Sequence, residues 1–407
     1  MGLDTMLRRI VRKGDLVVRD WRGRERRYGD GCGDRVAIRI RDRATARRLL
    51  INPELAPGEA YMDGGLVVEE GDIRDLLDLL IGNLGPGRMP DQWLQHVLAG
   101  TRHVLRTITS WNPIPRARRN VAHHYDLSDQ LYELFLDADK QYSCAYFERE
   151  GDSLERAQEQ KKRHIAAKLL VEPGMRVLDI GCGWGGMALY LARRCGARVV
   201  GITLSEHQAA IARRRAAEAG LDRQIEVRLE DYRTVDGEFD RIVSVGMFEH
   251  VGLRDYGRFF RTIRDRLSDR GVALVHSIIR MTGPAPTNPW IAKYIFPGGY
   301  IPASSEVLPA VERSGLLLTD LEVWRLHYAE TLRHWRSRFR AAWDRAAALY
   351  DARFCRMWDF YLASSETAFR RGGMAVGQYQ LAPSQDTVPL CRDYIADFKR
   401  THPVEAN

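Results

Sequence analysis

The chain lacks any apolar run approaching the roughly 20 residues that a membrane-spanning helix requires, so no helical span is expected in its 407 residues. Cysteine is sparse. Cys32, Cys144, Cys182, Cys195, Cys355 and Cys391 are scattered, and no two stand in CxxC spacing. That excludes a disulfide framework or a zinc knuckle and points to a reducing, cytoplasmic setting. The first twelve residues mix acidic and basic side chains without an apolar stretch, so no secretory leader is expected there. Met6 stands where a myristoylation signal needs Ser or Thr. Internal repeats and low-complexity tracts are also missing, and the other histidines, including His123, His124 and His250, lack metal-ligand spacing.

Hydrophobic residues make up 45% and charged residues 29%, the balance of a globular protein with a large core. The net charge of +8 suits an anionic partner, although an arginine-rich background explains it equally well. The most informative segment is Arg176-Val-Leu-Asp-Ile-Gly-Cys-Gly-Trp-Gly-Gly186. An apolar run ends in Asp179, breaks into glycines and leads into the helical pattern of residues 187–193. Strand, glycine turn and helix open a nucleotide-binding α/β unit. Gly181, Gly183 and Gly186 also satisfy the dinucleotide fingerprint, which leaves a dehydrogenase open. Asp179 favours a methyltransferase instead, because a carboxylate two residues before the first glycine repels a pyrophosphate and suits a cation such as the sulfonium of S-adenosylmethionine.

Three regions separate along the chain. Residues 1–110 mix short strand-like runs (16–19, 35–40) with a helical pattern over 73–81, as in a small α+β domain. Residues 111–122 hold two prolines and three arginines and read as a basic linker. From 123 to 407 a single catalytic domain is expected, with an amphipathic helix after Ser128 or Asp126 and then alternating elements. Strands are predicted at 176–180, 197–204, 225–229, 239–245, 272–279, 316–324 and 375–381. Helices are predicted at 206–219, 256–267, 332–350 and 354–370. That alternation implies a doubly wound, mainly parallel sheet.

Several segments then carry a resemblance. His124-Tyr-Asp, Gln141-Tyr-Ser-Cys-Ala-Tyr-Phe147, the glycine turn, Gly201-Ile-Thr-Leu-Ser205, Ser244-Val-Gly-Met-Phe-Glu-His-Val-Gly252 and Tyr294-Ile-Phe-Pro-Gly-Gly-Tyr300 are similar in order and spacing to cyclopropane-fatty-acyl-phospholipid synthases. Tyr61-Met-Asp-Gly64 extends the likeness into the N-terminal domain, which the shorter mycolic-acid relatives lack. The resemblance implies a Rossmann-like class I methyltransferase domain with a seven-stranded, mainly parallel sheet. It also implies methylene transfer from S-adenosylmethionine to the cis double bond of phospholipid acyl chains, with bound bicarbonate as the base. A related lipid C-methyltransferase giving methyl-branched or methylene chains stays open.

On this chain the resemblance assigns the bicarbonate to the Cys144 backbone, Glu249, His276 and Tyr328. Glu249 would then have to be protonated, or share a proton, beside an anion. It assigns the cofactor to Tyr142, Ser143, Asp179, Gly181, Gly183, Thr203, Leu204, Gln208, Asp231 and Tyr232. The second strand ends in Thr203-Leu-Ser205, so Thr203 and Gln208 would serve where many adenosine-binding sheets place an acidic residue. Phe248, Trp290, Tyr294, Phe296 and Tyr300 together suit an apolar acyl pocket, although for any single one core packing is the favoured reading, since aromatics dominate cores. Cys144 is not expected to be a nucleophile, since no basic partner is predicted beside it. The expected partner is a bilayer surface with unsaturated acyl chains, on which the N-terminal domain, residues 1–110, docks together with the basic stretches Arg102–Arg106 and Arg116–Arg119, with peripheral association at the inner membrane. A homodimer is allowed. No base-holding Asn/Asp-Pro-Pro-Tyr motif speaks for nucleic acid.

Overall fold

The computed structural model describes residues 2–86 and 128–404, so the expected linker and both basic stretches lie outside the described residues. Contacts divide the chain into two compact units. Among the described residues, the first joins 2–86 to 286–297 and 329–374. Two stretches assigned from sequence to the catalytic domain thus pack with the N-terminal residues, and side-chain chemistry explains why. Tyr61 donates to Asp359 at 3.1 Å, Arg336 pairs with the same buried carboxylate at 2.7 Å, and the Arg356 guanidinium donates to the Met62 carbonyl at 2.7 Å. Gly58 has room for no side chain, because a Cβ there would collide with the indole of Trp290.

This unit has a four-stranded sheet in the order β2-β1-β3-β4, from β1 (Asp15–Arg19), β2 (Glu25–Tyr28), β3 (Arg35–Ile40) and β4 (Leu66–Glu70). The helix Ile73–Leu84 begins in a capping box between Asp72 and Asp75 and buries Ile73, Leu76 and Leu77. It confirms the helical pattern over 73–81. Glu25–Tyr28 carries three exposed charged residues before Tyr28, which hides its strand character from periodicity.

The second unit holds the seven-stranded sheet. Its strands are β5 (Arg176–Ile180), β6 (Arg198–Thr203), β7 (Ile225–Leu229), β8 (Phe239–Val245), β9 (Leu267–Arg280), β10 (Leu317–Trp324) and β11 (Met374–Ala382). They lie in the order β10-β11-β9-β8-β5-β6-β7. The run β9-β8-β5-β6-β7 is parallel throughout, and β10 and β11 are antiparallel. Alternate residues of these strands feed two separate cores: Leu178, Ile180, Val200, Ile202 and Ile242 on one face, Val177, Val199, Val243 and Leu274 on the other. Burial on both faces explains why the strands read as continuous apolar runs. Strand order reverses at β5, which pairs with β6 on one side and β8 on the other. The crevice beyond the carboxyl ends of these strands is where such sheets bind ligands. Among the described residues no helix is long and apolar enough to cross a membrane.

At the sheet edge, Lys168 is fully buried with its ammonium 3.0 Å from both Asp320 and Glu322 of β10. His164 approaches Glu322 at 2.7 Å. These partners hold the Glu322 carboxyl well below its ordinary 4.5 despite burial. A depressed carboxylate stabilises the fold above its unfolded value, and that contribution drains away as pH falls through the folded value. Glu322→Gln is expected to cost about 3 kcal/mol at neutral pH, because it strips a partner from a buried ammonium. Urea unfolding should show the two proteins converging as pH drops below about 4.

Candidate functional site

The glycine turn after β5 sits at the point of strand reversal. Gly181, Gly183 and Gly185 have φ of 84°, 54° and 83°, a region that side chains other than glycine rarely adopt. At Gly181 space is also denied: a Cβ would lie 2.9 Å from the Met247 side chain. The turn folds back so that the Gly181 and Cys182 amides donate to the Ile202 carbonyl at 2.9 and 3.0 Å. It then delivers the free amides of helix Gly186–Cys195 to a cleft. The cleft encloses about 1190 Å³ including its mouth, ample for a nucleoside-sized ligand.

Every residue assigned to the cofactor lines this cleft: Tyr142, Ser143, Asp179, Gly181, Gly183, Thr203, Leu204, Gln208, Asp231 and Tyr232. Thr203 donates from its hydroxyl to the Gln208 amide oxygen at 3.1 Å, so the two polar groups at the end of β6 are mutually oriented. Asp231 is gripped by Arg233 through two bonds of 2.7 Å. Arg233 also lies over the Tyr232 ring. Arg233, Trp184, Gln141, Met247 and His250 line the cleft too and were missed. For Arg233 the signal was available, two positions after Asp231. For Trp184, inside the turn itself, only position could have spoken.

Asp179 is the electrostatic anomaly. It is buried, its Oδ2 has no hydrogen-bond partner, and burial pushes its carboxyl up to about 7. A buried acid without a partner is costly as an anion, and a cationic ligand in the cleft would remove that cost. The residues therefore fit a sulfonium- or ammonium-bearing cofactor. Nearby His250 is driven down to about 4 by burial and is neutral at physiological pH.

None of the four residues assigned to the base is among those that line the cleft. Glu249 follows β8 in a short 3-10 turn, and its Oε1 accepts from the Ile278 amide of β9 at 2.6 Å. Its Oε2 is sealed and unpartnered, and burial raises its pKa. His276 stands two residues before Ile278 on the same face of β9. Its Nδ1 faces the Gln378 amide nitrogen at 3.1 Å, which makes Nδ1 the acceptor and leaves the proton on Nε2. Burial first, then the charges of Lys161 and Lys168, keeps its pKa well below the ordinary value. Cys144 is fully buried and donates from Sγ to the Ala145 carbonyl at 3.3 Å. Contrary to the sequence reading, a basic residue does lie within electrostatic reach of it, Lys161. Tyr328 is half-buried in the first turn of helix His327–Ala341, beside His327, whose Nδ1 accepts from the Phe147 amide at 3.1 Å.

Of the aromatic set, Phe248 and Tyr300 belong to the core of the second unit. Phe248 packs on Tyr256, Phe259 and Phe260, and the Tyr300 hydroxyl is taken by Glu306 at 2.9 Å. Trp290, Tyr294 and Phe296 belong to the first unit, with Trp290 against Phe360 and Phe296 against Tyr361.

Comparison with known proteins agrees with this geometry. Residues 114–379 match the family model "Mycolic acid cyclopropane synthetase", and residues 3–85 match a domain of unknown function. The chain is 38% identical over 333 residues to the cyclopropane-fatty-acyl-phospholipid synthase of Escherichia coli K12, covering 82% of this chain and 84% of that one. It is also 38% identical over 358 residues to the tuberculostearic acid methyltransferase UfaA1 of Mycobacterium tuberculosis, covering 83% and 81%. The crystal structure of mycolic acid cyclopropane synthase CmaA1 complexed with SAH and CTAB aligns with a TM-score of 0.63 at 34% identity, over 67% of this chain and 99% of that one.

If Asp179 meets a cation, S-adenosylmethionine should bind more weakly as pH falls below about 7, approaching tenfold per unit. Asp179→Asn should bind weakly at every pH and lose that slope. Isothermal titration between about pH 5.5 and 7.5 reads both.

Proposed function

The chain belongs to the mycolic acid cyclopropane synthetase family, a premise from which we propose its reaction and substrate. It is an S-adenosylmethionine-dependent methyltransferase of the class that acts on lipid double bonds. The proposed substrate is the cis-unsaturated acyl chain of a membrane phospholipid, and the proposed product is a cyclopropane ring. The observation that carries this reading is Glu249: a buried carboxyl following β8, its pKa raised by burial, with one oxygen anchored by the Ile278 amide and the other sealed from solvent without a hydrogen-bond partner.

Bound in the cleft, the cofactor supplies an electrophilic methyl group to the alkene. The chain must then exclude water from the cation left on the acyl chain and provide for loss of one proton as the ring closes. Burial around Glu249 and His276 supports the first task. For the second, we propose that the Cys144 backbone, Glu249, His276 and Tyr328 hold a bicarbonate as a small base. A protonated Glu249 and an Nε2–H tautomer of His276 are both donors, which suits an anion better than two charged groups would. A second reading, a methyl-branched or methylene product, rests on the equal identity to the tuberculostearic acid methyltransferase. Incubation with S-adenosylmethionine and cis-unsaturated phospholipid vesicles decides between them. Cyclopropane protons in the NMR spectrum with loss of the olefin support ring closure; a branched or exomethylene signal overturns it.

Glu249→Gln should reduce turnover by about 100-fold or more while leaving S-adenosylmethionine binding unchanged. Retained turnover removes Glu249 from the role.

We further propose peripheral docking on anionic headgroups at the inner face of the membrane through the arginines of 102–106 and 116–119, each worth about 1 kcal/mol near such a surface. Sedimentation with anionic vesicles should weaken as salt rises. Binding indifferent to salt would count against docking.

A further inference from the structure

The segment 139–144 reaches the cleft through Gln141, Tyr142 and Ser143 and then enters the core at Cys144, yet it contains neither helix nor strand. Something else must fix its path. Helix Leu154–Leu169 does so through one face, at the i, i+3, i+4 spacing. Gln158 donates to the Gln141 and Ser143 carbonyls at 3.1 and 3.0 Å. Lys162 reaches Asp139 at 2.7 Å. Between them, Lys161 donates to the Gln141 side-chain oxygen at 2.7 Å and to the Ser143 hydroxyl at 2.8 Å.

Lys161 differs from its neighbours in what it costs. Its side chain is 1% exposed, and a buried ammonium is expensive unless its charge is used. Gln158 already holds the backbone here without a charge. The groups facing Lys161 are Asp137, Asp139 and Cys144, which favour its charge, and Lys162, which opposes it. Its field reaches His276 as well, where it acts with Lys168 and His164 against the charged form, and Glu322 acts in favour. One buried cation thus touches two cleft residues and bears electrostatically on two of the residues assigned to the anion.

We propose that Lys161 is a positioning residue of the reaction, orienting Gln141 and Ser143 at the cofactor cleft and supplying the positive potential that draws an anion to Cys144 and His276. The inference rests on the reading that these residues hold a small anionic base. Burial brings the Lys161 pKa down to about 8, so its charge is present at neutral pH and is lost across the mildly alkaline range.

The test is the KM for added bicarbonate in carbon-dioxide-depleted buffer, with S-adenosylmethionine and lipid saturating, at about pH 7 and pH 9. Loss of a charge with pKa near 8 predicts a rise of about tenfold in this KM for the wild-type protein. Lys161→Met should show a raised KM at both pH values and no rise between them. Lys161→Arg, which stays charged, should keep the low KM at pH 9. A Lys161→Met protein with the wild-type KM and the wild-type rise overturns the assignment. So does a wild-type KM that does not change with pH, a measurement that needs no variant to fold. If the wild-type rate is indifferent to bicarbonate altogether, the anionic-base reading fails and this inference fails with it. A bicarbonate-dependent rate with Lys161 irrelevant to it leaves that reading standing and overturns only the role of Lys161.

Discussion

The pairing of β5 with β6 on one side and β8 on the other is the constraint on which the site depends. Where parallel order reverses, the loops leaving the two neighbouring strands turn to opposite faces and a crevice opens between them. The glycine turn leaves β5 there, and Glu249 leaves β8 there. Neither would work alone: the turn without β8 is a nucleotide cradle with no acid beside it, and Glu249 without the turn is a buried carboxyl. Their proximity is a property of strand order.

A second theme is the state of charge. Asp179 and Glu249 are pushed towards protonation, and His250 and His276 towards neutrality, all with burial as the leading cause. These four groups are therefore held back from their charged forms in a low-dielectric pocket, beside the Lys161 ammonium and the Asp231–Arg233 ion pair. Such a pocket responds strongly to whatever charge enters it. A positive charge next to Asp179 and a negative one next to Glu249 and His276 would each find a group able to change its protonation to match. The two ends are not alike: the Lys161 ammonium bears on the end at Cys144 and His276, while Asp179 has only burial acting on it.

Much of this was legible beforehand, for identifiable reasons. Doubly buried parallel strands read as apolar runs, so β5 and β8 fall where expected, and β7 at the sheet edge is legible from its alternation. The helices expected at 206–219, 256–267 and 354–370 follow closely, whereas the one expected at 332–350 is two, His327–Ala341 and Trp343–Leu349. The glycine turn was readable because glycines with positive φ leave a signature in sequence, whereas the rest of the cofactor set came from the resemblance, and those residues line one cleft. What escaped was chemistry between distant residues. Lys161 sits in a run of charged residues, Gln158–Arg163, that looks like a solvated face, and only the fold shows it buried against Gln141 and Ser143. The grouping of 286–297 and 329–374 with the N-terminal residues escaped likewise, since it depends on pairs such as Tyr61 with Asp359, almost 300 positions apart. Phe248, for which core packing was the favoured reading, does lie in the core of the second unit.

The antiparallel ladder of β10 and β11 pairs Trp324 with Val376, and so the chain departs and returns at neighbouring points of one sheet edge. Everything from 329 to 374 is therefore an excursion with clamped ends. The entropy of closing a loop grows only slowly with its length, and most of that closure is met here by strand pairing. The register of β10 against β11 is thereby set by the ladder itself and not by the length of chain between them, which is free to answer to the N-terminal residues it packs with.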